Sequence, residues 1–313
     1  MKILVIGEIN VDLILRGYRT FPVPGKEIAV EDCVLTLGSA SMICAMGLAR
    51  LRNQVAFAGK TGADLYGDFC IRAMREAGID VSMVIRDPQA KTGITVSISS
   101  CADRALVTYP GATVSLRAED LPAGIFEGFD HLHISSFFLQ EGLRPSVRAL
   151  FAAARRGGLT TSLDPGYDPS EEWRPDLLDA LEEADIFLPN EIELEAVTGA
   201  SDPMEALSRL QDRRTLTVAK LGCNGALAFD SGSPVRVPAF PVATVDTTGA
   251  GDSFNAGFLH AWLARRPLAE ALRFGAACGA ISTLGLGGTA HQPTLEEALQ
   301  FLNRCSNASE GRI

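Results

Sequence analysis

Short apolar runs alternate with stretches of helical periodicity along most of the chain. The runs lie at 2–7, 54–62, 131–139, 159–165, 184–190 and 215–222. Segments with apolar residues at helical spacing lie between them, at 39–51, 64–78 and 146–158. Because strands that alternate with helices form parallel sheets, the pattern predicts an α/β fold with a mostly parallel sheet covered on both faces.

Two segments depart from this alternation. Residues 13–37 hold short extended runs around Pro22, Pro24 and Gly25. Residues 92–110 alternate apolar and polar positions on either side of a polar turn, as a β-hairpin does. We therefore expect a single domain over residues 1–313, in which these segments form a small second sheet beside the main body.

The composition argues against several classes of protein. A net charge of −10 disfavours broad nucleic-acid binding, which needs a basic face, but it allows a local site for a small anion. The chain has no stretch of about 18 uncharged apolar residues, so a membrane span is not expected. Seven cysteines without a Cys-x-x-Cys pair favour a reduced, cytoplasmic setting. The first residues are expected to form a buried strand, not a signal peptide.

The most informative stretch is DTTGAGDSFNAGF, at residues 246–258. Apolar residues recur at helical spacing after Asp252, so Gly249 and Gly251 are predicted to lie where a helix begins. The free amides and the dipole of a helix start attract an anion, and glycines let it approach the backbone. The loop is a candidate site for a phosphoryl group, with Asp252 placed to accept a proton from an attacking hydroxyl. The alternative is a glycine turn in which Asp252 only caps the helix.

Other polar residues lie near the ends of predicted strands. Asn190 and Glu193 are three residues apart where a helix is expected to begin, so they share a face and suit Mg²⁺ with its water shell; helix capping is the alternative. Lys220 and the two glycines that follow join two strands, where surface solvation or a hairpin salt bridge is the simpler role. Neither GxxxxGK[ST] nor an early GxGxxG is present, so any nucleotide would be held differently from those folds.

Taken in order, these motifs resemble those of the ribokinase family of sugar and nucleoside kinases, also called the PfkB carbohydrate kinases. They run through nearly the whole chain: Asn10 and Asp12, Gly38, 62–67, 92–93, 109–112, 164–165, 190–193, 220–225, 246–252 and 275–283. The resemblance implies a Rossmann-like (ribokinase-like) three-layer α/β sandwich with a small β-sheet lid, formed by about 13–37 and 92–110. It also implies transfer of the γ-phosphoryl group of ATP to a hydroxyl, usually a primary alcohol.

The resemblance further implies roles for individual residues. It makes Asp252 the general base, which is expected to stay ionised near the helix start. It places the anion hole on the backbone of Gly249, Ala250 and Gly251. The residues matched to Mg²⁺ and the nucleotide are Asn190, Glu193, Lys220, Gly222, Gly225 and Thr247. Those matched to a monovalent cation, often K⁺, are Asp246, Thr248, Ser282 and Gly287. Those matched to the substrate, beside Asp252, are Asn10, Asp12, Gly38, Ser39, Ile43 and Phe137.

The substrate side departs from the family pattern. Where the family carries two adjacent glycines and then an asparagine, this chain has Gly38, Ser39 and Ile43. Where sugar kinases often carry a glutamate, it has Phe137 or Phe138. The pocket is therefore predicted to be more apolar. A sugar kinase is the preferred interpretation, and a nucleoside kinase, whose base would stack on apolar surface, or an inactive ligand-binding homologue is the alternative.

Two further predictions concern assembly and the histidines. Apolar residues at alternate positions of the hairpin, Ile94, Val96 and Ile98, would leave a face that a small lid alone cannot bury, so we expect a homodimer formed through the lid. The histidines show no zinc spacing and are expected to be structural or solvated; they are His131, His133, His260 and His291.

Overall fold

The computed structural model describes residues 1–99, 104–173, 176–211 and 213–310. The strands are β1 (Lys2–Ile6), β2 (Asn10–Arg16), β3 (Asp32–Leu37), β4 (Gln54–Gly62), β5 (Asp80–Asp87), β6 (Gly93–Ser99), β7 (Arg104–Tyr109), β8 (His131–Ile134), β9 (Thr160–Leu163), β10 (Ile186–Phe187), β11 (Leu216–Lys220), β12 (Ala226–Asp230) and β13 (Ser233–Val237). The α-helices are α1 (Ala40–Arg50), α2 (Leu65–Glu76), α3 (Val147–Arg156), α4 (Asp176–Leu181), α5 (Glu191–Thr198), α6 (Pro203–Leu210), α7 (Ala250–Leu263), α8 (Leu268–Ser282) and α9 (Leu295–Glu310). Within this part of the chain, none of the helices combines the length and the apolar surface that a membrane span needs.

A sheet of nine strands forms the centre of the described structure, in the order β13-β12-β11-β10-β9-β8-β1-β4-β5. From β5 to β11 each neighbouring pair is parallel, and β12 and β13 continue the sheet antiparallel. The predicted mostly parallel sheet is confirmed. In such a sheet the loops that follow the strands share one edge, where ligands bind. Asp164, Asn190 and Lys220 lie along this edge, at or just beyond the ends of β9, β10 and β11.

Helices cover both faces of the large sheet, because successive residues of a strand point to opposite sides. In β1, Ile3 and Val5 pack into a core with residues of α1, α2, α7, α8 and α9. Leu4 and Ile6 pack into a second core with residues of α3, α4, α5 and α6. All four side chains are fully buried. The predicted three-layer sandwich is therefore confirmed.

Helices α7 and α8 lie against each other at close range, because glycines occupy the points of contact. A Cβ atom on Gly257 would lie 2.7 Å from the Sγ atom of Cys278. A Cβ atom on Gly279 would lie 3.0 Å from the carbonyl oxygen of Ala250. Larger side chains would separate the two helices. The close packing fixes the first turn of α7, which carries Asp252.

A second sheet of four strands has the order β3-β2-β6-β7, and we call it the small sheet. It contains parts of both segments that depart from the alternation, but it begins at Asn10 instead of residue 13. The predicted hairpin is the antiparallel pair β6 and β7. The turn predicted at 102–104 falls largely on residues 100–103, which lie outside the described residues. Strand β2 runs parallel to β6 and antiparallel to β3.

One face of the small sheet carries a row of polar side chains at its end nearest Asn10. The strand register places Asp12 opposite Thr36 and Thr95, and Thr95 opposite Thr108, so these side chains share a face with Asn10. The Nδ2 atom of Asn10 donates to the hydroxyl of Thr95 at 3.2 Å, and the hydroxyls of Thr95 and Thr108 are hydrogen-bonded at 3.1 Å. Asn10 is also 3.3 Å from the carboxylate of Asp12. This face therefore presents a connected row of hydrogen-bonding groups.

Two histidines belong to a chain of hydrogen bonds inside the large sheet. The ring of His131 bonds to the hydroxyls of Thr160 (2.8 Å) and Ser162 (2.7 Å). The ring of His133 bonds to the hydroxyls of Ser162 and Ser135, both at 2.7 Å. Both rings are fully buried, and burial lowers the pKa of His133 to about 4. The sequence analysis expected each histidine to be either structural or solvated, and these two are structural.

Candidate active site

The glycine loop leads directly into α7. Gly249 is the N-cap residue, with φ of 70°, and α7 begins at Ala250, as the sequence predicts. This position requires glycine, since φ is in the left-handed region and an added Cβ would lie 2.7 Å from the Cα of Gly288. The amide of Ala250 donates to the carbonyl of Thr247 at 3.2 Å. Among the described residues, no acceptor takes the amides of Gly249 and Gly251. The predicted anion hole thus has two available amides, not three.

Asp252 lies half-buried in the first turn of α7. Burial and the neighbouring carboxylates of Asp164, Glu8 and Glu193 raise its pKa well above the ordinary value, and Lys220 opposes them. The sequence analysis expected the helix start to keep this carboxylate ionised. Burial and the three neighbouring carboxylates oppose the helix dipole, so that expectation stays a prediction.

Lys220 and Asp164 form a buried ion pair beside the glycine loop. The Nζ atom of Lys220 lies 2.6 Å from Oδ2 of Asp164, and Asn255 donates to the same oxygen at 2.5 Å. Although burial lowers the pKa of Lys220, the carboxylates of Asp164 and Glu193 outweigh it and raise that pKa. The salt bridge considered for Lys220 is present. Its partner, Asp164, follows β9 and does not belong to the β11–β12 hairpin. Sequence reasoning gave no role to Asn255, although it lies one turn beyond Asp252.

Asn190 and Glu193 hold each other at the start of α5. The amide and the Nδ2 atom of Asn190 donate to the two oxygens of Glu193, both at 2.8 Å, and the Glu193 amide donates back to Asn190 at 2.9 Å. This is a capping box, so the capping alternative describes the observed contacts. Burial and, to a smaller extent, the neighbouring carboxylate of Asp164 raise the pKa of Glu193 to about 7. Asn190 also forms a parallel bridge with Lys220, which places the pair beside the glycine loop.

The capping box is compatible with a hydrated cation. Each oxygen of Glu193 accepts one hydrogen bond from Asn190 and keeps a further lone pair for a water molecule. Within the described residues, no group of three or more His, Cys, Asp or Glu side chains is placed to hold a metal ion directly. The residues present therefore fit Mg²⁺ that keeps its water shell.

A cavity of about 540 Å³ opens beside the glycine loop. Its lining residues are Lys220, Gly222, Cys223, Gly225, Ala239, Phe240, Pro241, Val242, Thr244, Thr247, Ala250, Gly251, Phe254, Ala276, Gly279, Ala280 and Thr283. The lining includes the four predicted nucleotide contacts that lie outside the capping box, which are Lys220, Gly222, Gly225 and Thr247. The size and the largely apolar lining suit the base and the ribose of a nucleotide. The loop 239–244 carries no motif that the sequence analysis named. The lining face of α8 falls within 275–283, a segment that the sequence analysis named without giving it a role in nucleotide binding.

The residues matched to a monovalent cation lie mostly together. One oxygen of Asp246 accepts from the amide (2.9 Å) and the hydroxyl (2.8 Å) of Thr248, and the other accepts from the Gly287 amide at 2.9 Å. Ser282 is buried, and its hydroxyl donates to the carbonyl of Gly279. The Ser282 side chain therefore turns into its own helix and away from the other three residues.

The residues matched to the substrate fall into two groups. Gly38 lies against the polar face of the small sheet, because an added Cβ would be 2.1 Å from the carboxylate of Asp12 and 2.6 Å from Nδ2 of Asn10. Ser39 is the N-cap residue of α1, and Ile43 on that helix reaches the glycine loop at Gly249. These residues connect the small sheet to the first turn of α7.

Phe137 does not belong to this group. Its side chain is fully buried and packs edge to face on Phe138, which in turn contacts Trp173. The sequence analysis continued the strand of 131–139 through this position, but β8 ends at Ile134 and the chain turns at Ser136, which has φ of 52°. Phe137 is thus a core residue in this structure, which gives its predicted contact with the substrate no support.

Comparison with known proteins gives a consistent result. Residues 1–295 match the model of the pfkB family carbohydrate kinases. The chain belongs to this family. It is similar to a ribokinase of Haemophilus influenzae, with 29% identity over 95% of this chain and 97% of that protein. It is also similar to a fructokinase of Klebsiella pneumoniae, with 32% identity over 96% of this chain and 99% of that protein.

Solved structures of the same kind share the fold of this pfkB family member. A fructokinase from Vibrio cholerae, in its fructose, ADP and calcium ion bound form, superimposes with a TM-score of 0.80. The two chains are 26% identical, and the match covers 96% of this chain and 98% of the other. The ribokinase-like fold is therefore shown, and family membership makes the protein a phosphotransferase.

Proposed function

We propose that this pfkB family kinase transfers the γ-phosphoryl group of ATP to a hydroxyl of a small neutral sugar, with the small sheet acting as a lid. One observation carries the proposal. The start of α7 brings the available amides of Gly249 and Gly251 and the carboxylate of Asp252 to one point. The nucleotide-sized cavity opens on one side of this point, and the elements bearing Asn10 and Asp12 meet it on the other.

The proposed chemistry needs little covalent work from the protein. The oxygen of the acceptor hydroxyl attacks the phosphorus atom while Asp252 takes the hydroxyl proton. The bond from phosphorus to the leaving ADP oxygen then breaks. The amides of Gly249 and Gly251 then face the oxygens of the transferring group, where negative charge is distributed. Lys220 adds positive charge beside Gly251, since an added Cβ there would lie 3.6 Å from its Nζ atom.

The cation sites are part of the same proposal. Asn190 and Glu193 would hold the water shell of Mg²⁺, which when bound neutralises phosphate charge. The positive charge of bound Mg²⁺ would also favour the ionised form of the carboxylates around Asp252. Asp246, Thr248 and Gly287 would form part of a site for a monovalent cation such as K⁺. The backbone around Ser282 would supply further oxygens.

A neutral acceptor is favoured by the charges that surround Asp252. Glu8 and Asp12 are carboxylates near this side of the site, and the one cation that contacts the glycine loop among the described residues, Lys220, is paired with Asp164. A sugar phosphate or a sugar acid would bring further negative charge into this region without a partner. The connected hydrogen-bonding row of the small sheet instead suits several sugar hydroxyls.

A nucleoside acceptor loses its support in the structure. That alternative required aromatic or apolar surface on which a base could stack. Phe137 is fully buried, Phe138 is 3% exposed and Ile43 is 3% exposed. These side chains therefore offer almost no surface to a ligand.

A coupled assay of ADP formation tests the proposal. The panel comprises neutral pentoses and hexoses, their phosphates, the corresponding sugar acids, and nucleosides, each with Mg²⁺ and K⁺. We expect turnover with a neutral sugar. Preferred turnover of a nucleoside or a sugar phosphate would contradict the neutral-sugar assignment, and no turnover with any acceptor would contradict the proposed function as a whole.

A further inference from the structure

We propose that Glu8 is a positioning residue of the acceptor pocket: its carboxylate holds Ser136 in a left-handed backbone conformation and anchors Ser41 at the start of α1, and thereby sets the two segments that flank the acceptor hydroxyl. The inference rests on the proposed function, because it assigns the acceptor to this side of Asp252. The residue follows β1, and the sequence analysis gave it no role.

The contacts of Glu8 join three elements. Its Oε2 atom accepts from the hydroxyl of Ser41 at 2.5 Å, and its Oε1 atom accepts from the hydroxyl of Ser136 at 2.7 Å and the amide of Ser41 at 3.3 Å. Its carbonyl accepts from the hydroxyl of Ser39 at 2.7 Å. The end of β1 is thus bonded to the start of α1 and to the turn after β8.

Glu8 has an unusual environment for a carboxylate. It is 3% exposed, and among the described residues no lysine, arginine or histidine forms an ion pair with it. A buried carboxylate without a cation is costly, and an apolar residue would avoid the cost. Three hydrogen bonds from Ser41 and Ser136 to the carboxylate offset this cost, which is the arrangement expected where a polar group has a task other than stability.

The two serines are strained in a way that Glu8 can maintain. Ser39 has φ of 69° and ψ of 121°, a region that is almost confined to glycine, and Ser136 has φ of 52° and ψ of 48°. By contrast, Arg52 and Arg265 follow the ends of helices and Ser231 lies in a hairpin turn, where positive φ is ordinary, and Glu171 and Trp173 lie in the loop that follows β9. Both strained serines bond to Glu8 through their hydroxyls, Ser136 to the carboxylate and Ser39 to the backbone carbonyl.

These serines determine where the neighbouring segments lie. Ser39 accepts from the amide of Met42 at 3.0 Å as the N-cap of α1. The preceding Gly38 abuts the polar face of the small sheet. Ser136 begins the turn after β8 and lies against Gly166, in the loop that follows Asp164. Without the Glu8 carboxylate, the turn at Ser136 would relax toward negative φ and the start of α1 would lose its bonds through Ser41, so both segments would move.

The consequence should be confined to the acceptor. None of Glu8, Ser39 and Ser136 lines the 540 Å³ cavity proposed for the nucleotide. Glu8→Gln retains the shape but replaces one accepting oxygen with a donor, so it disrupts one or more of the serine contacts. We expect the KM for the sugar to rise about tenfold or more, as the loss of strained geometry implies, and the KM for ATP to change less than about twofold.

Glycine substitutions provide the rescue. Glycine adopts positive φ without strain, so Ser136→Gly in the Glu8→Gln background should restore the sugar KM to within about threefold of the wild type. As a matched pair in the wild-type background, Ser136→Ala removes the hydroxyl but keeps the strain and should raise the sugar KM, whereas Ser136→Gly should not. This pair tests the proposal even if Glu8→Gln does not fold.

Equal rises in both KM values, an unchanged sugar KM in Glu8→Gln, or failure of the glycine rescue would overturn the positioning role. Urea unfolding of the same variants separates this inference from the proposed function, because it needs no turnover. Glycine at 136 should stabilise Glu8→Gln more than it stabilises the wild type. Coupling of zero in this comparison would overturn the inference, and an inactive wild type with clear coupling would overturn only the proposed function.

Discussion

At the scale of single residues, the candidate site combines local contacts, such as those between Asn190 and Glu193, with the effects of groups from distant parts of the chain. The spacing of Asn190 and Glu193 sufficed to predict a shared position at a helix start, because that geometry is local. The direction of the Asp252 pKa could not be predicted in the same way. It depends on Asp164, Glu8 and Glu193, which approach only after the chain has folded.

The first prediction concerns Asp252. Asp252→Asn keeps the shape of the side chain but removes its capacity to take a proton, so kcat should fall by about 10²–10⁴-fold. Binding of ATP should remain, since the cavity is lined by Ala250 and Gly251 and not by this side chain. Steady-state kinetics and calorimetric titration with ATP measure the two effects. An unchanged kcat would exclude Asp252 as the base.

The second prediction concerns the buried ion pair. Lys220→Met should lower the free energy of unfolding by about 3–5 kcal/mol, because it leaves the carboxylate of Asp164 buried without its cation. Asp164→Asn should also destabilise, but the double variant should be less destabilised than the sum of the two single variants. Urea denaturation of all four proteins measures this. Simple additivity would mean that the two side chains do not depend on each other.

At the scale of elements, the pattern of apolar residues predicted which helices and strands exist and in what order, but it was less accurate about where the strands end. The run at 131–139 was expected to be one strand, but only His131–Ile134 is extended. The reason is the left-handed turn at Ser136, which no apolar or polar pattern signals. Since the side chains beyond such a turn no longer alternate, the orientation of Phe137 could not be derived from the sequence.

The third prediction concerns the polar chain between β8 and β9. Burial lowers the pKa of His133 from 6.5 to about 4, so between these values the unfolded chain binds a proton that the folded protein does not. Stability should therefore fall as pH drops from about 7 to 4, and His133 alone accounts for roughly 3 kcal/mol of that loss.

Thermal unfolding across this pH range measures the effect. His133→Gln should be less stable at pH 7 but should show a shallower loss toward pH 4. The control is His291→Gln, which should leave the slope unaltered because His291 is already exposed in the folded protein. An identical slope in the wild type and in His133→Gln would contradict the assignment.

At the scale of the whole molecule, the order of motifs predicted the layered body and the second sheet, whereas the assembly stays a prediction. The face of the small sheet opposite Asp12 exposes apolar side chains: Leu35 is 41%, Val107 62% and Tyr109 51% exposed. Exposed apolar residues on neighbouring strands suit contact with a second copy of the chain. This is the same face that carries Val96, as the proposed dimer requires.

The fourth prediction tests that dimer. Val107→Lys should convert the protein to a monomer at micromolar concentration, and the sugar KM should rise because β7 is part of the sheet that carries Asn10 and Asp12. Ile192→Lys is the matched control, because Ile192 is 65% exposed on α5, outside the small sheet. Sedimentation equilibrium measures both. A wild type that is already monomeric would remove the proposed interface.

The separation of the two proposed ligand sides along the chain has a consequence for biosynthesis. The residues proposed to contact the acceptor, besides Asp252, lie early in the chain and include Asn10 and Asp12, whereas the cavity is lined from Lys220 to Thr283. Gln292 then bonds back to the carbonyl of Ile43 and to Ser253, and so connects the two stretches. A ribosome that has released only the first two thirds of this polypeptide has made the acceptor residues without any place for ATP. Competence should therefore emerge late in translation, in a single step, once the final helices dock on strands made long before.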